Sequence, residues 1–252
     1  MLSGGKNMNQ MRRNQIFFLA VIIMMVVTNL LNGRYSNPGA WLMEELLMLP
    51  GIVIGLSFHE FGHAAASVLL GDPTPKQQGR LTLNPAAHMD IFGFVCLLFA
   101  GFGWGVPVEI DPRNYKHPRR DELIVSLAGV VMNFLTAVVF ALLMRLMIRG
   151  GLVLDEASQA ADLPTILFDI LRYVVQINVV LMVFNLLPCP PLDGFGILTQ
   201  IFNLRKYRWY YPLYSNGGVI LILLIFLRGV DLVLDPGIRI VWSWLMNTIV
   251  LG

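Results

Sequence analysis

His59-Glu60-Phe61-Gly62-His63 sits inside an apolar run, with Gly51-Ile52-Val53-Ile54-Gly55 before it and Ala64-Ala65-Ala66-Ser67-Val68-Leu69-Leu70 after it. Ionisable side chains are expensive in such a segment, and where a chain keeps them they mark function. The two histidines are four residues apart. On a helix they stand one turn apart on one face and can share one metal ion. Glu60 follows the first histidine, where a carboxylate can reach a water on that metal. Such a feature demands a third ligand, a path for water and a place for a substrate.

The surroundings say that the solvent is lipid. Of 252 residues, 56% are hydrophobic and only 13% charged, against roughly 25% charged in soluble domains. Mean hydropathy is +0.66. The length allows one membrane-embedded domain over residues 1–252, with little outside the bilayer. A net charge of +2 gives no case for nucleic acid. Cys96 and Cys189 lie in apolar or proline-rich stretches, so no disulfide framework is expected. Lys6, Arg12 and Arg13 ahead of Ile16–Leu31 resemble a signal sequence. No small-x-small cleavage site precedes Asn32-Gly33, which makes this stretch an uncleaved first span behind a disordered segment 1–13.

Hydropathy then predicts a second helix over Glu45–Leu70, a third over Leu123–Ile148 and a fourth over Leu163–Leu187. A fifth is expected over Leu213–Leu227 and a short sixth over Ile238–Leu251. His63 lies about seven residues before the end of the second helix, so a metal there would sit roughly 10 Å inside that end. Between the second and third helices, Arg80–Asn84 and Val106–Ile110 alternate at period two and read as short strands. Ile91–Trp104, apolar but short and glycine-rich, reads as a re-entrant element dipping into the membrane. Lys76, Arg80, Lys116, Arg119 and Arg120 make one side basic, Asp155, Glu156 and Asp162 make a later loop acidic, and Arg205, Lys206 and Arg208 restore the basic side. The positive-inside rule puts the N-terminus, residues 71–120 and residues 188–212 in the cytoplasm, provided that Ile91–Trp104 does not cross. The expected fold is thus an all-α polytopic membrane protein of about six helices with a small membrane-associated sheet or re-entrant element.

The fourth helix runs into Asn185-Leu186-Leu187-Pro188-Cys189-Pro190-Pro191-Leu192-Asp193-Gly194. Three prolines in four residues must break it, leaving an extended segment at the same cytoplasmic end as His63. Asp193 can then approach His59 and His63. Two histidines and a carboxylate, with a fourth position open to water, form a catalytic zinc set. Asn185, on the last turn, is an uncharged donor nearby.

Together these motifs resemble the site-2 protease family of intramembrane zinc metalloproteases, in its compact branch without a PDZ domain. Gly79-Arg-Leu-Thr-Leu-Asn-Pro85-Ala-Ala-His88, Phe102-Gly-Trp-Gly-Val-Pro107, Pro112-Arg-Asn114 and Pro118-Arg-Arg-Asp121 carry the resemblance between them. Leu127-Ala128-Gly129-Val130-Val131-Met132-Asn133 is similar to that branch's Ala-Gly-Pro-x-x-Asn element, with Val130 where proline is usual. The likeness covers roughly residues 50–200, with a catalytic core of about 45–200. It implies six membrane helices, a three-helix catalytic core and a membrane-associated sheet. It also implies zinc on His59, His63 and Asp193, Glu60 as catalytic carboxylate, and Asn185 holding the scissile carbonyl. The expected substrates are membrane-anchored proteins cut in regulated intramembrane proteolysis. The expected place is the plasma membrane, with the N-terminus cytoplasmic and the site nearer the cytoplasmic face. Control by a PDZ or nucleotide-binding domain would need a partner.

Other residues have plainer readings. His88 is a further ligand or gate, or it orders the Asn84-Pro85 turn. Asn133 and Asn178 are interhelical hydrogen-bond partners, and Asn133 can also support the site. Cys189 is a small packing residue close to Asp193, His117 is solvated, and Asp169 pairs with Arg172 three residues on. Arg205–Arg208 anchors the cytoplasmic face. The alternative class is a catalytically silent zinc transporter or client-binding scaffold. A transporter would line several helices with ligands, whereas this set is confined to two segments and includes a general base.

Overall fold

The computed structural model describes residues 19–152 and 162–252. The N-terminal segment 1–13, the start of the first expected span, and Asp155 and Glu156 of the acidic loop lie outside the described residues. Ten helices carry the described fold: α1 (Leu19–Leu31), α2 (Pro38–Leu69), α3 (Thr74–Gln77), α4 (Ile91–Ala100), α5 (Pro118–Arg149), α6 (Leu163–Asn185), α7 (Asp193–Phe202), α8 (Tyr210–Ser215), α9 (Gly217–Phe226) and α10 (Asp231–Trp244), the last continued by a π-helical turn over Leu245–Val250. Three of them, α2, α5 and α6, are long and apolar enough to cross a bilayer. α9 and the helix from Asp231 to Val250 pass the same test only as a pair, bent by 78°. The bend falls where Arg228 adopts a left-handed conformation and its guanidinium bonds Asp231.

Local chemistry sets helix ends that hydropathy misses. α2 begins at Pro38, seven residues before the expected Glu45, because the Asn37 side chain accepts from the Ala40 N–H and Pro38 fits the first helical position. α5 begins at Pro118 for a similar reason: the Asp121 carboxylate reaches back to the His117 N–H at 2.9 Å. Val130, where a proline would interrupt the donor ladder, is buried in an unbroken helix. The expected fifth helix, Leu213–Leu227, is instead α8 and α9, separated at Asn216.

α2, α5 and α6 pack against one another as a three-helix core. Small residues permit the close crossings, as van der Waals contact between helices in lipid requires. A Cβ on Gly62 of α2 would lie 2.6 Å from Met132 Cγ and 2.8 Å from the Ala128 carbonyl of α5. A Cβ on Gly55 would lie 2.6 Å from Leu181 of α6. One apolar cluster joins α5 and α6 to α10 through Ala137, Ala141, Met144, Val175, Val179 and Leu245. A second gathers Val21, Ile22, Ala100 and Ile222 from α1, α4 and α9.

No sheet forms among the described residues; an isolated antiparallel bridge joins Met89 and Gly105. Arg80–Asn84, expected as a strand, is irregular, with a bend at Leu81 and Thr82. Its donors are satisfied locally, with the Asn84 N–H on Thr82 Oγ1 and the Asn84 side chain capping the turn at Pro85–Ala87. Val106–Ile110 is extended but has no partner strand: the Val106 N–H goes to the His88 carbonyl at 2.7 Å. Between the two, α4 spans about 15 Å, half the hydrocarbon core of a bilayer. Gly101 turns the chain in a left-handed conformation, and Phe102–Gly105 returns along α4. Helix and return segment touch so closely that a Cβ on Gly93 would fall 2.1 Å from the Trp104 carbonyl. Both ends of this hairpin meet at the Met89–Gly105 bridge, so it leaves on the side from which it enters. Its tip is held by the α1–α2 turn: Asn29 Nδ2 and the Tyr35 hydroxyl both donate to the Phe99 carbonyl.

Past the end of α2, Asp72 is a buried hub. Its carboxylate accepts from Ser67 Oγ (2.9 Å), Thr74 Oγ1 (2.6 Å), the Asp111 N–H (2.8 Å) and Asn114 Nδ2 (2.8 Å). Ser67 in turn accepts from the Tyr115 hydroxyl at 2.7 Å. Burial works to raise the Asp72 pKa, but these donors overcome it and bring it down to about 2. A carboxylate so depressed contributes stability above its unfolded pKa near 4 and loses it as pH falls toward 2.

Two outcomes are expected. Gly62→Ala lowers the thermal midpoint in detergent, a cost of about 1–3 kcal/mol. Gly218→Ala, at a position with nothing within 4 Å, leaves the midpoint in place. Asp72→Asn removes about 2 kcal/mol of stability at neutral pH, and a pH series of unfolding curves shows a shallower acid limb between pH 4 and 2 than the parent chain.

Candidate metal centre

His59 and His63 lie on the buried face of α2, and their rings meet at 4.6 Å between centroids. Each ring is oriented by a bond from its other nitrogen. His63 Nδ1 lies 2.8 Å from the Val125 carbonyl of α5, which can only accept, so the proton is on Nδ1. His59 Nδ1 lies 2.6 Å from Asn133 Oδ1. The Asn133 amide nitrogen is spent on the Gly55 carbonyl and Asn178 Oδ1, both at 3.0 Å, so its oxygen faces His59 and that ring also carries its proton on Nδ1. Both Nε2 lone pairs therefore point at each other, 3.0 Å apart.

Asp193 completes the triangle. Its Oδ2 lies 3.2 Å from His59 Nε2 and 3.3 Å from His63 Nε2. The segment before it is tighter than the extended piece expected from its prolines. The Cys189 N–H bonds the Leu187 carbonyl and the Leu192 N–H bonds the Cys189 carbonyl, after which Asp193 opens α7. Gly194 allows this fold-back, since a Cβ there would lie 2.3 Å from the Leu186 carbonyl. A carboxylate in the first turn is also favoured by the helix dipole.

Three acceptors within 3.3 Å of one another repel unless a cation lies among them. Asp193 Oδ2 is buried and takes no hydrogen bond, and Nε2, Nε2 and Oδ2 are the three atoms a metal could bind. Tetrahedral zinc with bonds of about 2.0–2.1 Å sets its donors about 3.3 Å apart, and the observed edges of 3.0–3.3 Å fit that ion. The oriented Nδ1–H groups supply the outer shell that metal-binding histidines need.

Glu60 and Asn185 line the same cavity of about 390 Å³, together with Val108, Ser126 and Tyr214. Glu60 Oε2 accepts the Val108 N–H at 3.0 Å, so the extended segment after the hairpin touches this carboxylate. Asn185 Nδ2 gives one hydrogen to Leu181 O of its own helix and keeps a second. Across the cavity, Glu122 binds Arg205 through both oxygens and accepts from Gln200 Nε2 at 2.8 Å. Arg119 donates to the carbonyls of Gln200 and Ile201, which fastens the end of α7 to the start of α5. Arg205, expected as a surface anchor, is thus a wall of the site.

Several sequence expectations resolve here. Asn133 supports His59. His88 is buried and holds Thr82 O at 2.8 Å, ordering the loop; the metal cluster does not include it. Cys189 is a free thiol beside the turn, and Asp169 pairs with Arg172 at 3.3 Å. Sequence reasoning missed the Val125 carbonyl, Glu122 and the steric role of Gly129. A Cβ on Gly129 would sit 2.5 Å from His63 Nε2 and 2.6 Å from His59 Cε1. The one signal for Gly129 was its place in a family-like motif.

Comparison with known proteins agrees with this centre. The model of peptidase family M50 matches residues 147–226, which include Asn185 and Asp193. A relative from Bacillus subtilis (strain 168), named "Putative zinc metalloprotease YwhC", is 40% identical over 165 residues, 64% of this chain and 73% of its own. "Putative zinc metalloprotease Rip2" of Mycolicibacterium smegmatis is 30% identical over 193 residues, 75% of this chain and 70% of its own. The protein of that name from Mycobacterium tuberculosis (strain H37Rv) is 28% identical over 172 residues, 67% of this chain and 62% of its own. No solved structure matches the chain. With its helical membrane fold and its His-His-Asp triangle, the chain belongs to peptidase family M50, the site-2 protease family, and is a membrane zinc metalloprotease.

Proposed function

We propose that this protein cuts membrane-anchored proteins within or beside their transmembrane segment, with Glu60 as general base. The observation that carries the reading is the convergence of His59 Nε2, His63 Nε2 and Asp193 Oδ2 in one cavity with Glu60, on a helix apolar enough to cross a bilayer. His59, His63 and Asp193 would hold zinc, which supplies Lewis acidity and makes a bound water far more acidic than bulk water. Glu60 takes the proton of the attacking water and returns it to the leaving amine, a role worth about 10²–10⁴-fold in rate. Asn185 offers its second amide hydrogen to the scissile carbonyl, and loss of such a donor costs about 3–4 kcal/mol of barrier.

A helical substrate hides its carbonyls and must unwind to be cut. Capture as an added strand along Val106–Ile110 would expose them. The Val108 N–H is already given to Glu60 and Pro107 has none to give, so such a strand competes with Glu60 for this donor.

The topology belongs to the same proposal. α9 starts beside Pro190, and the helix after the 78° bend ends with the Ile249 carbonyl accepting from Arg145, near the far end of α5. The bent pair would thus make one crossing of the plasma membrane, giving five with α1 rather than the expected six, while the α4 hairpin enters and leaves on one side. The basic groups Lys76, Arg80, Lys116, Arg119, Arg120, Arg205, Lys206 and Arg208 lie on connections at the ends of α2, α5 and α7. By the positive-inside rule this is the cytoplasmic face, with a cytoplasmic N-terminus. His63 is six residues from the end of α2, about 9 Å along the axis, so water enters and product leaves there. A regulatory membrane partner would act on this cytoplasmic mouth or on the hairpin.

The test uses purified protein in detergent and a single-span model substrate. Glu60→Gln is expected to keep stoichiometric zinc by elemental analysis and to lose at least about 10²-fold in kcat/KM. Undiminished cleavage by that variant would exclude Glu60 as the base. Zinc flux into vesicles without any cleavage would point to a transporter instead.

A further inference from the structure

Asn178 lies midway along α6 and is fully buried. It belongs to no metal cluster and does not line the catalytic cavity. Its side-chain bonds are directional. The Val174 carbonyl can only accept, so the Asn178 amide nitrogen faces it at 2.8 Å, and the amide oxygen faces Asn133. Asn133 has two amide hydrogens. One goes to Gly55 O on α2 and the other to Asn178 Oδ1 on α6. With both spent, the Asn133 oxygen receives the His59 Nδ1 proton.

We propose that Asn178 is a positioning residue of the metal centre, acting through Asn133 to keep the His59 proton on Nδ1 and the Nε2 lone pair free. The proposal rests on the reading of His59 as a metal ligand. A bond serving only to hold α6 to α5 would be indifferent to which residue donates; this chain is ordered from Val174 through Asn178 and Asn133 to His59. Without Asn178, one Asn133 N–H is left buried and unpaired. Turning the amide relieves that, but takes the oxygen away from His59. The ring is then free to carry its proton on Nε2, the atom that must bind the metal.

The experiment uses the full chain in detergent, stripped of metal. Zinc affinity is measured by competition with a chromophoric chelator, and histidine tautomers by ¹⁵N NMR, which four histidines keep tractable. Asn178→Ala is expected to weaken zinc about tenfold and to give His59 mixed tautomers in the metal-free state. Asn178→Asp restores both, because a buried, protonated carboxyl offers a hydroxyl to Val174 and an oxygen to Asn133. Asn133→Ala combined with Asn178→Ala binds zinc no more weakly than Asn133→Ala alone, since both lie on one path. Additive losses, or an unchanged His59 tautomer in Asn178→Ala, overturn the proposal. If Asn178→Ala does not fold, Asn178→Leu keeps the volume, removes the bonds and is read by the same criteria. His59→Ala separates the two readings: zinc affinity unchanged in that variant would sink the metal site itself, whereas its loss alongside an unaffected Asn178→Ala sinks only the role of Asn178.

Discussion

The site depends on how closely α2 and α5 can approach. Gly62 and Gly129 lie on the facing sides of that crossing, and a single carbon on either would occupy space already filled. Gly129 brings the backbone of α5 against the two imidazoles, so the Val125 carbonyl and the Asn133 side chain, each one turn away along the helix, can reach their Nδ1 atoms. Metal affinity in such a chain thus begins as a packing property. In lipid there is little hydrophobic force between helices, and small residues with polar cross-bonds carry the association.

Polar groups are distributed accordingly. Inside the core one connected set runs from Val174 across Asn178 and Asn133 to His59. Past the end of α2 and at the start of α5 two anchored carboxylates fasten loops to helices: Asp72 gathers the Asp111–Asn114 turn, and Glu122 gathers Arg205 and Gln200. Asp193 differs, because its buried oxygen has no hydrogen-bond partner and faces the two histidine Nε2 atoms. That contrast between satisfied and unsatisfied buried carboxylate oxygens separates structural carboxylates from the one placed to take a metal.

Much of this was legible in the order of residues. The spacing of His59 and His63, and the proline break ahead of Asp193, led to the metal triangle, because both depend on local geometry that helices and prolines impose. The helical membrane class followed from hydropathy, and the short Ile91–Trp104 stretch, expected as a re-entrant element, folds as α4 with a return segment closed by the Met89–Gly105 bridge. The expected strands failed, because alternation records which side faces inward and says nothing about where backbone donors go. Thr82 and the Asn84 side chain satisfy one piece locally, while the other gives its donors to His88 O and Glu60. Helix starts at Pro38 and Pro118 were misplaced because hydropathy ignores capping. Gly129, Val125 and Glu122 could not be assigned roles, since those arise from neighbours on other helices.

The hydrogen bond from Val108 to Glu60 is made by a peptide group. Any residue with an N–H can supply it, and the side chain at 108 is irrelevant to it. This backbone contact on the Glu60 carboxylate is therefore silent to alanine scanning and to most natural variation at that position. It is written in the path of the backbone, which the glycine-lined hairpin holds in place, and its contribution is open to measurement only where the peptide itself is altered.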